Sequence, residues 1–334
     1  MTPAVSILVP IYNVSNFIER CAHSLFQQTF DDIEYVFVND CTPDDSVEKL
    51  QKVMEQYPNR KERIKIIHHE KNRGLAAARN TAIDNSTGKY IQHIDSDDWI
   101  ELDMIETMYK KAEIEQADIV VSDIILEQNK HQIILTDIVV KNKEDNFRNM
   151  LVNKISYCSL VNKFVRKELY QLPDCRSVEG LNYAEDFYVS VRLYYHARKI
   201  AKIDKVFYHY DKTNENSITR NKSKTHFENV ILFWKLLDDF LKEKQVYENY
   251  IEITEKGKLR LKIQLFFDTK EIALRYEYRE MFAQEEKKYY KSLKFVEKTM
   301  FFCARRKYLL WITQIIRTLL IIKSKFHYRI PKIL

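Results

Sequence analysis

The first hundred residues alternate between unbroken apolar runs and stretches with helical spacing. Residues 5–12, VSILVPIY, are apolar at nearly every position, the pattern of a strand covered on both faces. Within 16–29, NFIERCAHSLFQQT, the apolar Phe17, Ile18, Cys21 and Leu25 mark one face of a helix. The same alternation predicts strands over 33–40, 63–70 and 89–95 and helices over 46–57 and 74–85, with Ser46 as the N-cap of the former. Strand and helix exchanging at this spacing build βαβ units around a mostly parallel sheet, an open α/β fold flanked by helices.

Beyond residue 100 the pattern is mixed. DIVVSDIIL (118–126) and QIILTDIVV (132–140) are strand-like, FRNMLVNKI (147–155) reads as a short helix, and FYVSVRLYYHA (187–197) as an amphipathic helix preceded by acids. From His226 to Lys288 the pattern is wholly helical. The chain therefore divides into 1–100, 101–220, a helical extension over 221–286 and a tail over 287–334.

Composition narrows the class. With 334 residues, 45% hydrophobic and 31% charged, the chain has room for one large core or two modest ones, and is neither fibrous nor disordered. Its five cysteines are odd in number and form no CxxC pair, which argues against a disulfide framework or zinc site and for a reducing compartment. MTPAVSILVPIYN lacks the basic region of a signal peptide, and no apolar run reaches the ~20 residues of a spanning helix. Charge is uneven: residues 287–334 hold thirteen Lys and Arg against the single Glu297, so the body is mildly acidic although the net charge is +6. Glycine is scarce, and of the four, Gly74, Gly88 and Gly180 fall beside the motifs below.

The chemistry gathers at strand ends. KYIQHIDSDDWIELD (89–103) ends a strand in Asp95, Asp97 and Asp98, three like charges whose crowding calls for a partner. A divalent cation, Mg²⁺ or Mn²⁺, wants such oxygen donors together with substrate phosphates; the competing reading is that Asp97 or Asp98 caps the following helix. An EF-hand loop does not fit, because the sixth position from Asp95 is Ile100 rather than glycine. VNDCTPDDS (38–46) ends the second strand on the same rim, where Asp40 suits a base N–H or a ribose hydroxyl, or serves an ordinary turn. In NRGLAAARNTAI (72–83), Arg79 is a planar donor for phosphate or carboxylate, or a solvated helix residue. In YAEDFY (183–188), Asp186 either caps a helix or acts as a general base. No GxGxxG follows the first strand, which counts against a dinucleotide fold.

Taken in order, SILVPIYN, VNDCTPDDS, NRGLAAARNTAI, GKYIQHIDSDDW, VNKFVRKEL, YAEDFY and FYHYDKTNENSIT resemble the inverting family 2 glycosyltransferases of GT-A fold, in particular bacterial enzymes of capsular, exopolysaccharide or lipopolysaccharide synthesis. The resemblance covers about residues 4–220. It implies a nucleotide-sugar-binding half over 1–100 and an acceptor-binding half with the base over 101–220. It further implies donor contacts from Pro10, Tyr12, Asn13, Asp40, Arg79, Asp95 and Ser96. Asp97, with Asp95, becomes the ligand of a Mn²⁺ or Mg²⁺ at the DxD motif, and Asp186, in the pair with Glu185, the catalytic base. The implied reaction moves a sugar, from a UDP-sugar or related donor, to a hydroxyl of a glycan or lipid-linked acceptor. This sequence departs from the family pattern at Asn39, Cys41 and Pro43, at Ala82, and at NYA before the acidic pair, where glycine is often adjacent.

Two other classes remain: a sugar-nucleotide nucleotidyltransferase, which normally carries a glycine-rich phosphate loop that PIYNVSN lacks, and a non-catalytic carbohydrate-binding subunit. The tail KYLLWITQIIRTLLIIKSKFHYRIPKIL (307–334) spaces Leu309, Ile312, Ile316, Leu319 and Leu320 helically among basic residues. It reads as an interfacial helix on an anionic membrane, placing a cytoplasmic protein on the inner face of that membrane, or else as a helix docked on the body or on a second copy in a homodimer. No base-stacking or groove-reading module accompanies the basic run, so nucleic acid is not expected.

Overall fold

The computed structural model describes residues 2–128, 131–152, 158–214, 224–268 and 278–306, with 311–313, 315–316 and 318–319 of the tail. By internal contacts the chain forms two compact units, 1–221 and 222–334.

Unit 1 is built on one nine-stranded sheet. Its N-terminal half runs β1 (Val5–Ile11), α1 (Ile18–Phe26), β2 (Ile33–Asn39), α2 (Ser46–Met54), β3 (Ile64–His68), α3 (Leu75–Asp84) and β4 (Tyr90–His93). These strands lie side by side as β3-β2-β1-β4, all parallel. Every residue of β1 is buried, as the apolar run required. On one face Val5, Ile7, Val9 and Ile11 join Ile18, Cys21 and Leu25 of α1 in the core. α3, whose Ala76, Ala77, Ala78 and Ala82 are buried, packs against β1 and β2; small residues let helix and sheet approach closely.

The second half is mixed. β5 (Trp99–Ile100), α4 (Met104–Glu115), β6 (Ile119–Gln128), β7 (His131–Leu135), α5 (Lys143–Val152), β8 (Lys163–Arg166), α6 (Glu185–His196) and β9 (Ile200–Asp211) extend the sheet to β4-β8-β6-β9-β5, with β7 on β6. β8 runs antiparallel to both β4 and β6 and stitches the two halves together. Periodicity does not predict β8, β9 or the two-residue β5. β9 interleaves charged residues with apolar ones and pairs with β6 through a register shift, so its alternation is blurred. The strand expected over 132–140 stops at Leu135: Asp123 accepts the Asp137 N–H (3.1 Å) and Asn146 the Val140 N–H (2.8 Å), so side chains take over the ladder's role. The last residues of the helix expected over 147–155 lie outside the described residues.

Helix starts also differ in detail. Ser46 is the first residue of α2 rather than its cap; Asp44 accepts its N–H at 3.2 Å, and the Ser46 Oγ accepts the Val14 N–H. Asp97 and Asp98 cap nothing, because α4 begins at Met104.

Unit 2 comprises α7 (Lys224–Glu243), α8 (Tyr247–Asp268), α9 (Ala283–Tyr289) and α10 (Phe295–Ala304), in keeping with the helical pattern. Residues 269–277 and most of 307–334, Leu309 and Leu320 included, lie outside the described residues. Among the described residues no helix is long and apolar enough to cross a membrane.

Gly88, just before β4, shows why a residue without a side chain is needed there. Its N–H reaches the Ser6 Oγ (2.8 Å) and Glu34 Oε1 (3.1 Å), and an added Cβ would stand 2.6 Å from the Ser6 backbone nitrogen. Gly88→Ala is expected to destabilise the fold by about 1–3 kcal/mol, since backbone has to move to admit the methyl; the urea midpoint measures it.

Candidate active site

The parallel strands deliver their carboxyl ends to one rim, and the crevice of such a sheet opens where neighbouring connections leave in opposite directions, here between β1 and β4. Pro10 fixes the point of opening. Leu8 accepts the Ile94 N–H at 3.0 Å, and Pro10, two residues on, faces β4 on the same side but has no N–H to give. The β1–β4 ladder accordingly ends at the pair Leu8–His93, and the chain leaves β4 into Asp95–Asp98.

On the β2 side, Asp40 is 3% exposed. It accepts the N–H groups of Arg73 (2.8 Å) and Gly74 (2.7 Å) and pairs with His69 Nδ1 (2.7 Å), so it ties down the loop that opens α3. Gly74 there has φ +89°, and a Cβ on it would strike the Asn182 side chain at 2.5 Å. Asn39 accepts the Thr42 N–H (2.8 Å), and Thr42 Oγ1 accepts the Asn13 N–H (2.8 Å). Asn13 and Cys41 both take left-handed backbone, φ +55° and +56°. Cys41 thus adopts the conformation that glycine would give more cheaply. Tyr12 is exposed at 48%, while Pro10 is buried.

The β4 side holds the charge. Arg79, 1% exposed on α3, donates to Asp95 Oδ1 (2.9 Å), to Glu185 Oε1 (2.7 Å) and to Asp186 Oδ1. Asp186 also accepts the Leu160 N–H at 3.3 Å. Glu185 and Asp186 form the first turn of α6, whose entry residue Ala184 has φ +67°. The Asp186 carboxylate bonds to Arg79 and to Leu160 rather than capping its own helix. Asp98 is fully buried, accepting the Tyr208 hydroxyl (2.6 Å) and the Asp211 N–H (2.7 Å). Asp97 accepts from Asn214 Nδ2 at 2.9 Å, and its carbonyl accepts from Arg20 at 2.9 Å. Ser96, between Asp95 and Asp97, is buried.

Electrostatics mark this side as short of positive charge. Burial, then Asp95, pushes the Asp97 carboxyl up to about 6. Burial, then Asp97, pushes Asp98 well up. Burial, then Asp186, lifts Glu185 to about 7 despite Arg79. Asp186 is raised by burial even with Arg79 drawing it down. Burial works against the charge of Arg79, but Asp186, Asp95 and Glu185 outweigh it and hold the guanidinium protonated. A divalent cation fits the donor set, because Asp97 and Asp95 offer hard carboxylate oxygens crowded enough to gain from one. Among the described residues these acids do not form a trio of donors within 4.8 Å; that geometry occurs only at Asp174, Cys175 and His196, where the nearby Arg192 guanidinium already supplies positive charge. A cation at the acidic loop would take one or two protein carboxylates and complete its shell with other oxygens. A shallow depression of about 620 Å³ is lined by Arg20, His23, Trp99 and Leu102, beside the acidic loop whose Asp97 carbonyl Arg20 holds.

Sequence reasoning missed Arg20, Tyr208, Asp211 and Asn214. Each acts through a contact 77 or more residues away, and although Tyr208, Asp211 and Asn214 stand in the motif FYHYDKTNENSIT, the sequence assigns them neither a strand nor a role.

Residues 6–172 match the family profile described as Glycosyl transferase family 2. EpsH of Bacillus subtilis (strain 168), named as a glycosyltransferase, is 33% identical over 75% of this chain and 72% of its own. EpsJ of the same strain, also named as a glycosyltransferase, is 33% identical over 66% of this chain and 64% of its own length. A crystal structure of residues 1–349 of S. aureus TarS in complex with UDP-GlcNAc superposes with a TM-score of 0.70, covering 97% of this chain and 93% of that one at 19% identity. It therefore has the same fold.

The raised carboxyls set a pH dependence. A group whose pKa is higher folded than unfolded stabilises most below its unfolded value and loses that contribution as pH rises through the folded one. With Glu185 near 7 and Asp97 near 6, the unfolding free energy is expected to fall from pH 5 to pH 7 without divalent cations, and Mn²⁺ to flatten that slope; urea titrations at three pH values test both.

Proposed function

This chain belongs to glycosyl transferase family 2, and from that premise we propose that it moves a sugar from a nucleotide-diphosphate donor, a UDP-sugar, to a hydroxyl of a glycan or lipid-linked acceptor in surface polysaccharide synthesis. The observation that carries this reading is the single buried arginine joining Asp186 to Asp95, which sets a basic carboxylate beside the crevice at the strand ends. The UDP-GlcNAc complex of the TarS fold supports the nucleotide as donor.

In this reading Tyr12, exposed at the end of β1, stacks on or borders the base, and Asp40 shapes the Arg73–Gly74 loop beside it. Asp95 keeps one oxygen on Arg79 and presents the other to the donor's ribose or sugar. Arg79 acts chiefly by holding Asp95, Glu185 and Asp186 together, with its charge near the diphosphate. Asp97, with Asp95, would hold a Mn²⁺ or Mg²⁺, which when bound neutralises charge developing on the leaving nucleotide diphosphate.

Asp186 takes the proton of the acceptor hydroxyl as that oxygen attacks the anomeric carbon from the face opposite the nucleotide, so the configuration inverts. Its raised pKa makes it a stronger base than an exposed carboxylate, and its fixed bonds to Arg79 and Leu160 aim it. Glu185, 6% exposed, reaches Arg79 and keeps α6 in register with it.

For the second unit, the proposal is a peripheral seat on an anionic membrane, in a cytoplasmic protein. Phe295 (83% exposed) and Phe302 share one face of α10, and Trp311, Ile315 and Leu319 recur every fourth residue, all exposed, among Lys291, Lys294, Arg305 and Arg306. Aromatic and aliphatic residues beside cations suit the boundary between headgroups and acyl chains.

Asp186→Asn is expected to lower turnover by about 10²–10⁴-fold while leaving UDP binding by calorimetry unchanged. Near-native turnover would remove Asp186 as the base, and pyrophosphate rather than UDP among the products would point instead to a nucleotidyltransferase. In sedimentation with vesicles, the double substitution Phe295→Ser, Trp311→Ser is expected to lose pelleting on anionic lipid; pelleting on anionic lipid equal to that of the native chain would refute the membrane seat.

A further inference from the structure

The acidic loop is held from one place. Tyr208 accepts the Asp95 N–H (3.1 Å) and donates to Asp98 (2.6 Å), Asp211 donates its N–H to Asp98 (2.7 Å), and Asn214 donates to the Asp97 carboxylate (2.9 Å). All three acids therefore hang on the carboxyl end of β9 and the three residues after it. Arg20 closes the arrangement from α1: it donates to the Asp97 carbonyl (2.9 Å) and the Asp211 carboxylate (2.6 Å), and its guanidinium lies 3.7 Å over the Trp99 ring. Trp99 in turn stacks on His209 at 4.8 Å and 13°. Loop, strand and helix are locked from both sides.

We propose that Asn214 is the positioning residue for Asp97, and that the end of β9 thereby sets how tightly the acidic loop binds a cation together with a nucleoside diphosphate. The inference deepens the transfer reading above and rests on it. The residue type is informative. A carboxamide fixes one oxygen of Asp97 with a neutral donor and leaves the carboxylate its full charge. A Lys or Arg in that place would satisfy the same oxygen but neutralise the charge and compete with a metal. Asn214 is 5% exposed and Asp98 beside it fully buried, so the donor is held by packing rather than swinging in solvent. Outer groups that orient a metal's ligands typically matter 10- to 100-fold in metal affinity.

The test is calorimetry with UDP as probe on the full chain, with Mn²⁺ and with chelator. Asn214→Ala is expected to weaken Mn²⁺-dependent UDP binding by about 10- to 100-fold while metal-free UDP binding stays as in the native chain, and Asn214→Ser, which keeps a neutral donor, to recover part of the loss. Mn²⁺ binding alone, followed by its electron paramagnetic resonance signal, is expected to weaken in parallel. Unchanged binding in Asn214→Ala overturns the inference. So does an equal loss with and without Mn²⁺, because that would be a structural role not acting through the cation. If the native chain shows no Mn²⁺-dependent UDP binding at all, the transfer reading itself falls.

Discussion

One buried guanidinium organises this molecule. Arg79 lies at 1% exposure and bonds to three carboxylates, Asp95 from the end of β4 and Glu185 and Asp186 from α6. Drawing Arg79 and Glu185 fully, and Asp95 and Asp186 largely, out of water is costly, and the arrangement persists because every one of them has a partner. The consequence is geometric. α3 belongs to the parallel half of the sheet and α6 to the mixed half, so satisfying Arg79 requires the halves to close on each other at the crevice. β8, paired with β4 on one side and β6 on the other, gives that closure a hydrogen-bonded frame.

The same rim concentrates backbone strain. Asn13, Cys41 and Ala184 all hold positive φ without being glycine, at about 1–2 kcal/mol each for an L-residue in that region. Each stands where a strand or helix end must turn a functional segment: Asn13 after β1, Cys41 after Asp40, Ala184 before the acidic pair. Of the positions where the resemblance expects a glycine, Cys41 and Ala184 hold the glycine conformation on another residue, whereas Ala82 lies inside α3 without positive φ. Hydrogen bonds beside them help offset it: Asn13 and Cys41 flank the Thr42 hydrogen bonds, and Ala184 leads into the Arg79 cluster.

Like charge is the rim's other stored cost. Asp98 meets Tyr208 and Asp211 inside the protein and Asp95 meets Arg79, while Asp97, like Asp98, keeps a raised pKa, with the neutral amide of Asn214 donating to its carboxylate. The three aspartates therefore differ in their partners: Asp98 bonds to a hydroxyl and a backbone N–H, Asp95 to the arginine, and Asp97 to a carboxamide.

Local order was legible in the chain and long-range order was not. Apolar runs bounded by polar residues determined β1 to β4 and their helices, because a strand buried on both faces and a helix with one buried face leave different periodicities. The motif set likewise placed Asp40, Arg79, Asp95, Asp97 and Asp186 as the residues to examine. β8 and β9 left no such trace: a four-residue strand is too short to show a period, and a strand with a register shift changes which residues face the core. Only the tertiary structure decided that Asp40 and Arg79 spend their bonds inside the protein, that Pro10 ends the ladder where the crevice opens, and that Arg20, Tyr208 and Asn214 meet at the acidic loop. The Arg20, Tyr208 and Asn214 contacts join residues 77 to 117 positions apart, and separation of that kind is fixed by the folding of the sheet rather than by any local pattern of residues.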